Sequence, residues 1–255
     1  MKPSKAEIAA QLDDAARMHR PIKQLSLQDQ YSLDEAYEIQ AISIDRRLGR
    51  GEQMTGYKLG FTSQAKMEQM GVHEIIWGRL TDAMALGNGG NMNSKRFIHP
   101  RVEPEIAFLV ERDIDRELSL ANISDYISQM AGALEVIDSR YMDFKFSLED
   151  VVADNCSSSA YVIGAWQALS DEVGDIDLEM VINEDQRVVG NSSAILGSPL
   201  NALVEMSKIM ARNEITIPSG AVLLAGAATA ASYIHAGDEI RASFDRLGSV
   251  SLQVA

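Results

Sequence analysis

The stretch Arg101-Val102-Glu103-Pro104-Glu105-Ile106-Ala107-Phe108-Leu109-Val110 decides the fold of this chain. It reads as a strand, and the two-residue period of a strand places Glu103 and Glu105 on one face. That face continues into Ala107 and Leu109, while the opposite face is apolar throughout, so we expect both faces of the strand to be buried. Two carboxylates therefore converge in an apolar setting.

The glutamate pair has two interpretations, and the pattern alone leaves both open. In the first, Glu103 and Glu105 form the solvated face of a half-buried strand. In the second they are buried, where adjacent carboxylates lose hydration and repel each other at a cost of several kcal/mol. A divalent metal ion removes that conflict.

A third carboxylate, Glu135, lies in the apolar stretch Ala131-Gly132-Ala133-Leu134-Glu135-Val136-Ile137. It can complete a three-carboxylate metal site with Glu103 and Glu105, or it can be a lone core glutamate bonded to backbone. Hard oxygen ligands without a cysteine or histidine cluster favour Mg²⁺ or Mn²⁺ over Zn²⁺.

Lys58 stands between Gly56 and Gly60 in an otherwise apolar strand. Its ammonium group either reaches back to solvent or points into a pocket, and the nearby glycines allow close approach of backbone to a ligand.

The remaining polar groups give weaker signals. Asp154-Asn155-Cys156-Ser157-Ser158-Ser159 offers many hydrogen-bond donors and can line a polar pocket, although such clusters are more often turns. Cys156 has no neighbouring histidine in sequence to activate its thiol, so a nucleophilic role has little support. The four histidines form no ligand-spaced pair.

Composition excludes several function classes. The 255 residues carry a net charge of −14, so nucleic acid and anionic membrane surfaces are not expected as partners. Apolar runs fall short of a membrane span, and acidic residues near the start argue against a secretion signal. One cysteine excludes an intramolecular disulfide, and we expect a cytoplasmic location.

The order of elements predicts an α+β protein. Capping boxes at Ser4 and Ser32 predict helices to about Arg20 and to just before Gly49. Further expected elements are a strand at 56–61, a short helix capped by Thr62 and Ser63, a helix over 123–133, strands at 161–163, 178–182 and 222–224, a helix after Pro199, and a closing hairpin over 240–254. We divide the chain into a helical layer with the lysine strand, 1–80, and a catalytic core, 81–255, within one compact unit.

Four motifs together resemble the fumarylacetoacetate hydrolase superfamily, in its branch of 2-hydroxypentadienoate hydratases and 4-oxalocrotonate decarboxylases from aromatic meta-cleavage pathways. The motifs are Gly56-Tyr57-Lys58-Leu59-Gly60-Phe61-Thr62-Ser63, His99-Pro100-Arg101-Val102-Glu103-Pro104-Glu105-Ile106, Glu135-Val136-Ile137-Asp138-Ser139-Arg140 and Val152-Ala153-Asp154-Asn155.

The resemblance implies a mixed β-roll core with peripheral helices. It implies that Glu103, Glu105 and Glu135 hold Mg²⁺ or Mn²⁺ and that Lys58 is the catalytic lysine. We expect the residues that bind substrate to be Thr62, Ser63, Asn155 and Ser157.

Within the branch, the sequence favours metal-dependent decarboxylation of 2-oxo-3-hexenedioate over hydration of 2-hydroxypenta-2,4-dienoate. Hydratases typically carry an aspartate where this chain has Ile76, and adding water to a diene needs such an extra acid or base. Ser198 stands where the branch usually has histidine, which leaves the exact 2-oxo acid open. A non-catalytic subunit of a hydratase or decarboxylase complex is a further alternative. Expected partners are a small 2-oxo acid, other copies of this chain in a homo-oligomer, and a homologous hydratase.

Overall fold

The computed structural model describes residues 3–27, 30–62 and 74–255 of the chain. The short helix expected after Thr62 lies outside the described residues, and so does Ser63. No helix in the described ranges is long and apolar enough to cross a bilayer.

Two helices form the N-terminal layer, α1 (Lys5–Met18) and α2 (Leu33–Leu48), as the capping boxes predict. Ser4 and Ser32 each accept a hydrogen bond from the backbone N–H three residues later, and the glutamate there accepts one from the cap. Buried Asp13 of α1 accepts hydrogen bonds from the guanidinium groups of Arg46 and Arg50, which joins the two helices by ion pairs.

Two sheets make up the β part of the described chain. Their strands are β1 (Met54–Gly60), β2 (Ile76–Thr81), β3 (Ala85–Leu86), β4 (Gly90–Met92), β5 (Arg101–Val110), β6 (Ile127–Ile137), β7 (Ser158–Ile163), β8 (Gln167–Ala168), β9 (Asp177–Ile182), β10 (Gln186–Asn191), β11 (Val222–Ala227), β12 (Ser232–Tyr233), β13 (Glu239–Phe244) and β14 (Gly248–Val254). The larger sheet runs in the order β2-β1-β11-β5-β6-β7-β3, with β12 beside β5 and β8 beside β6; the smaller sheet runs β10-β9-β13-β14-β4. Parallel pairs, β1 with β11 and β3 with β7, stand among antiparallel ones, which confirms the mixed core.

The prediction of a helix over 123–133 is wrong. Ile123–Asp125 forms a single 3-10 turn, and the chain then enters β6, which continues to Ile137. β6 lies between β5 and β7 with both faces largely buried, so its apolar residues do not alternate with polar ones. A strand of this kind cannot be told from a buried helix by periodicity.

Two further helices lie in the described part of the chain. α4 (Pro199–Arg212) begins where Pro199 predicts, and Ser198 caps it by accepting a hydrogen bond from the N–H of Leu200. α3 (Leu148–Ala153), which the sequence pattern did not predict, is capped by Ser147. The closing hairpin of β13 and β14 is confirmed.

The main apolar core uses only one face of β5. Val102, Ile106 and Phe108 join a buried cluster that also contains residues of the smaller sheet and of α4. The glutamates lie on the opposite face of β5. Packing of the apolar face against the core therefore fixes the strand and, with it, the positions of the carboxylates. The division of the chain at residue 80 into two parts of one compact unit stays a prediction.

Asp150 of α3 joins the segment between α1 and α2 to the rest of the protein. Its carboxylate accepts hydrogen bonds from the Ser26 N–H and hydroxyl, the Tyr31 hydroxyl and the Ser147 N–H. Burial alone raises the pKa of Asp150, but these donors outweigh it and hold the pKa below its ordinary value.

We predict that Asp150→Asn lowers the free energy of unfolding by about 2 kcal/mol at neutral pH, because an amide replaces a charged acceptor facing several donors. A carboxyl group whose pKa is lowered by folding stabilises the folded state at pH values above its unfolded-state pKa, which is near 4. This contribution is lost as the pH falls through the lower folded-state pKa. Urea unfolding at pH 7 and pH 3 measures both values.

Exposed Asp125, for which the structure shows no side-chain hydrogen bond in the described part of the chain, supplies the control Asp125→Asn. That variant should unfold like the wild type. An equal stability loss for Asp150→Asn at both pH values would contradict the charge-based explanation.

Candidate metal centre and active site

The register of two central strands brings the three glutamates together. Glu103 of β5 lies directly opposite Glu135 of β6, and Glu105 follows two residues along the same face. One ligand oxygen from each carboxylate lies within 4.8 Å of those of the other two. The spacing along β5 predicts that Glu103 and Glu105 share one face of that strand. The pairing of β5 with β6 then brings Glu135 next to them.

All three carboxylates are buried. Relative exposure is 6% for Glu103 and 0% for both Glu105 and Glu135, so the interpretation of a solvated strand face is wrong. Burial, together with the charges of the other two glutamates, raises the pKa of Glu105 well above its usual range. Burial also raises the pKa of Glu135, although nearby Lys58 opposes the change.

The donor set fits a hard divalent cation. One oxygen of Glu105 and one of Glu135, in each case Oε1, is buried without a hydrogen-bond partner in the described residues. Such orphaned acceptors are costly unless a cation or proton meets them. A set of three carboxylates with no thiol or imidazole is typical of Mg²⁺ and Mn²⁺ sites. It leaves coordination positions on the ion for water and substrate.

Lys58 of β1 points into this site and not to solvent. Its side chain is 3% exposed, and Nζ donates a hydrogen bond to Glu135 Oε2 at 3.0 Å. Burial alone lowers the pKa of Lys58, but the charges of Glu135 and the neighbouring glutamates raise it above its ordinary value overall. The lysine is therefore a charged donor beside the carboxylates.

Gly226 lets β11 approach the site. Its φ is +102°, and a Cβ there would lie 2.1 Å from Oγ1 of buried Thr62. The Gly226 N–H donates a hydrogen bond to Glu105 Oε2 at 2.9 Å. A larger residue would displace Thr62, so this glycine fixes both a metal-binding candidate and a substrate-binding candidate.

Asn155, Cys156 and Ser157 form a left-handed turn, with φ between +51° and +58°. Asn155 holds it to β2 through two hydrogen bonds with the backbone of Arg79, and a Cβ at Gly78 would lie 2.8 Å from the Asn155 carbonyl oxygen. Residues in this region of φ cost about 1 to 3 kcal/mol each and are found where function requires them.

The turn gives its three side chains different roles. The Asn155 amide is engaged with backbone, so it positions the turn. The Cys156 thiol donates to the Trp77 carbonyl oxygen, and burial raises the pKa of Cys156 to about 12, which opposes a nucleophilic role. Ser157 Oγ is buried without a partner among the described residues, as expected of a group awaiting a ligand.

Sequence reasoning missed the support beneath this turn. Buried Arg140 donates hydrogen bonds to the Asp154 carboxylate and to the backbone carbonyls of Asp138 and Asp154. Burial raises the pKa of Asp154 to about 6, although the Arg140 charge opposes the change. The spacing of Asp138, Arg140 and Asp154 in two of the motifs is the signal that pointed here.

Ile76 lies close to Lys58 on the same face. β1 and β2 pair Lys58 with Gly78 and Gly60 with Ile76, so Ile76 is one step along the face that carries the lysine. It is almost fully buried. The position where hydratases of this branch are expected to carry an aspartate is therefore occupied by a buried apolar side chain here.

The chain is similar to known enzymes along most of its length. A model of the fumarylacetoacetate hydrolase C-terminal family matches residues 64–255. A 4-oxalocrotonate decarboxylase of a Pseudomonas species is 44% identical over 248 residues, 96% of each chain. A 2-keto-4-pentenoate hydratase of Burkholderia vietnamiensis is 38% identical over 84% of this chain and 83% of its own.

A solved structure agrees with the fold. The 4-oxalocrotonate decarboxylase of Pseudomonas putida G7, complexed with magnesium and adipate, superposes with a TM-score of 0.95 at 30% identity and covers both chains fully. With a mixed β core, a buried glutamate triad and similarity over nearly the whole chain, this protein belongs to the fumarylacetoacetate hydrolase family.

Proposed function

We propose that this protein decarboxylates 2-oxo-3-hexenedioate to 2-hydroxypenta-2,4-dienoate and CO₂. The observation that carries the proposal is the buried triad with its orphaned oxygens and the charged Lys58 beside it. The relatives named 4-oxalocrotonate decarboxylase and the bound adipate of one of them support a diacid substrate. Because these relatives act on small molecules, a small-molecule substrate is expected here as well.

Glu103, Glu105 and Glu135 would hold Mg²⁺ or Mn²⁺, as the magnesium in the Pseudomonas putida G7 enzyme supports. A bound divalent ion supplies Lewis-acid stabilisation of negative charge on a 2-oxo acid. The three glutamate side chains would fix the position of the ion, since their oxygens already converge in the core.

Lys58 would act as a cationic hydrogen-bond donor. Loss of CO₂ leaves an electron pair that moves through the double bond toward the 2-oxo oxygen, which finally takes one proton. A buried ammonium group near that oxygen stabilises the developing charge more strongly than water does. Thr62 and Ser157, both buried, would orient the substrate, while Asn155 would hold the turn that carries Ser157. Ser63 stays a proposed substrate ligand from the sequence alone.

Hydration of 2-hydroxypenta-2,4-dienoate is the second candidate, because relatives named 2-keto-4-pentenoate hydratase match most of the chain. Buried Ile76 favours the decarboxylase, since it offers no acid or base for water addition. The complete triad and Lys58 argue against a non-catalytic subunit.

We also propose a homo-oligomer, a complex with a homologous hydratase that takes up the dienol product, and a cytoplasmic location. Val189, 71% exposed on the edge strand β10, supports an interface between copies. The single cysteine is a buried free thiol, which agrees with a reducing compartment.

The deciding experiment gives purified protein both substrates, with added Mg²⁺ and after chelation. We expect Mg²⁺-dependent CO₂ release from 2-oxo-3-hexenedioate and slow or no hydration of 2-hydroxypenta-2,4-dienoate. Rapid hydration of the dienoate with 2-oxo-3-hexenedioate left intact would replace the decarboxylase proposal by the hydratase.

We predict that Glu105→Gln separates stability from metal binding. The neutral amide removes charge repulsion in the core, so the metal-free variant should melt at a higher temperature than the metal-free wild type. Loss of a charged ligand should weaken Mg²⁺ binding on the order of tenfold or more, so added Mg²⁺ should raise its melting temperature less. Thermal melts across a Mg²⁺ titration measure both effects.

Glu111→Gln is the matched control, since Glu111 follows the same strand and is exposed. It should leave both melting temperatures unchanged. A metal-free Glu105→Gln protein that melts lower than wild type, with an unchanged Mg²⁺ response, would refute the metal site.

For Lys58→Met, we predict a fall in turnover of about 10²- to 10³-fold, because the change removes a preorganised charged donor. Mg²⁺ affinity should not weaken, since Lys58 is not a ligand and its loss removes a nearby positive charge. Steady-state kinetics and Mg²⁺ titration calorimetry give the two values.

The exposed Lys95 provides the control Lys95→Met, which should keep wild-type turnover. Turnover by Lys58→Met within twofold of the wild type would remove the lysine from the mechanism.

A further inference from the structure

A second cationic group lies on the carboxylate face of β5, at the end nearer solvent. Arg101, Glu103 and Glu105 alternate along the strand, so their side chains share one face. Exposure rises along this row, from fully buried Glu105 through Glu103 to half-buried Arg101. The row therefore leads from the deep part of the metal centre to its rim.

The Arg101 guanidinium is fixed in place by two aromatic rings. Its central carbon lies 4.0 Å from the centroid of Phe144 and 4.1 Å from that of Tyr233, and Nη2 donates a hydrogen bond to the Tyr233 hydroxyl. Stacking on aromatic faces holds a guanidinium without using its in-plane N–H donors. The remaining donors stay available in a fixed plane.

Two polar atoms beside Phe144 lack partners within the described ranges. Arg101 Nε and His99 Nε2 are both buried without a hydrogen bond, and the His99 ring lies 5.0 Å from the Phe144 ring. A buried donor without an acceptor is costly, and a guanidinium edge matches a carboxylate in geometry and charge. The cluster of His99, Arg101, Phe144 and Tyr233 thus has the features of a preformed carboxylate receptor; we call it the rim cluster.

We propose that the rim cluster, through Arg101, binds the second carboxylate of the diacid substrate, the one remote from the 2-oxo group. Two residues along a strand advance about 6.6 Å, so Arg101 follows Glu103 at a spacing comparable with the length of an extended six-carbon diacid. This inference rests on the proposed function for the identity of the diacid. It adds a specificity-determining residue, because a monoacid has no group to place there.

The chemistry of the leaving group fixes which kinetic constant Arg101 controls. The remote carboxylate leaves as neutral CO₂, so its attraction to a guanidinium weakens as the reaction proceeds. Arg101 therefore stabilises the bound substrate more than the transition state, and its removal raises KM without lowering kcat.

The test compares a diacid with a monoacid on the Mg²⁺-loaded full-length protein. Calorimetry measures Kd for adipate and for 2-oxopentanoate, neither of which can lose CO₂ by this route. For Arg101→Met we expect the adipate Kd to rise about tenfold to hundredfold, as for the loss of a charged hydrogen-bonded pair, and the 2-oxopentanoate Kd to change less than twofold. Arg101→Lys, which keeps the charge but not the planar fork, should lie between.

The matched control is Arg112→Met, at an exposed arginine just beyond the opposite end of β5. Both of its Kd values should equal those of the wild type. Equal weakening of adipate and 2-oxopentanoate by Arg101→Met would reduce Arg101 to a structural role and overturn the inference, as would an unchanged adipate Kd or a wild type that does not bind adipate.

Kinetics separates this inference from the proposed function. With 2-oxo-3-hexenedioate, Arg101→Met should show a raised KM and an equal or higher kcat. A kcat that falls in parallel with kcat/KM would also overturn the inference. If the wild type does not decarboxylate this diacid at all, the proposed function fails, while the two binding measurements still decide whether Arg101 receives a carboxylate.

Discussion

Electrostatic repulsion among Glu103, Glu105 and Glu135 is the constraint on which the rest of the site depends. Three carboxylates in a core need compensation, and Lys58, the buried ammonium that contacts them among the described residues, balances a single charge. The two negative charges that remain equal the charge of one divalent ion. Burial and the charges of the other two glutamates raise the pKa of Glu105. A raised pKa favours the protonated form, so a proton and a divalent ion would compete for the same carboxylate oxygens.

Much of this arrangement could be predicted from the sequence, because strand periodicity is a local property. The shared face of Glu103 and Glu105 and the capping boxes of α1 and α2 follow from spacing within a few residues. For Lys58 the spacing leaves solvent and pocket as alternatives, and the contact with Glu135 decides between them. The glutamate triad itself needed the pairing of β5 with β6, which spacing does not contain. The family resemblance supplied that step.

The errors and omissions have tertiary causes. The sequence predicts a helix at the start of β6 because a central strand, buried on both faces, lacks the alternation of polar and apolar residues that marks a strand. For Asn155–Ser157 the sequence leaves a polar pocket and a turn as alternatives. It does not predict the left-handed backbone, which depends on Gly78 and the Arg79 backbone in a distant strand. The sequence assigns no role to Arg101 for the same reason: Phe144 and Tyr233, which hold its guanidinium group, are far away in sequence.

The central position of β5 and β6 has a consequence for how the site is reached. Each strand is hydrogen-bonded on both sides, β5 to β11, β12 and β6, and β6 to β5, β7 and β8. Amide hydrogens in such strands exchange with solvent mainly through global unfolding. The backbone that carries the three glutamates thus belongs to the slowest-exchanging part of the fold, and a cation that binds them would reach them by side-chain movement while the strands stay intact.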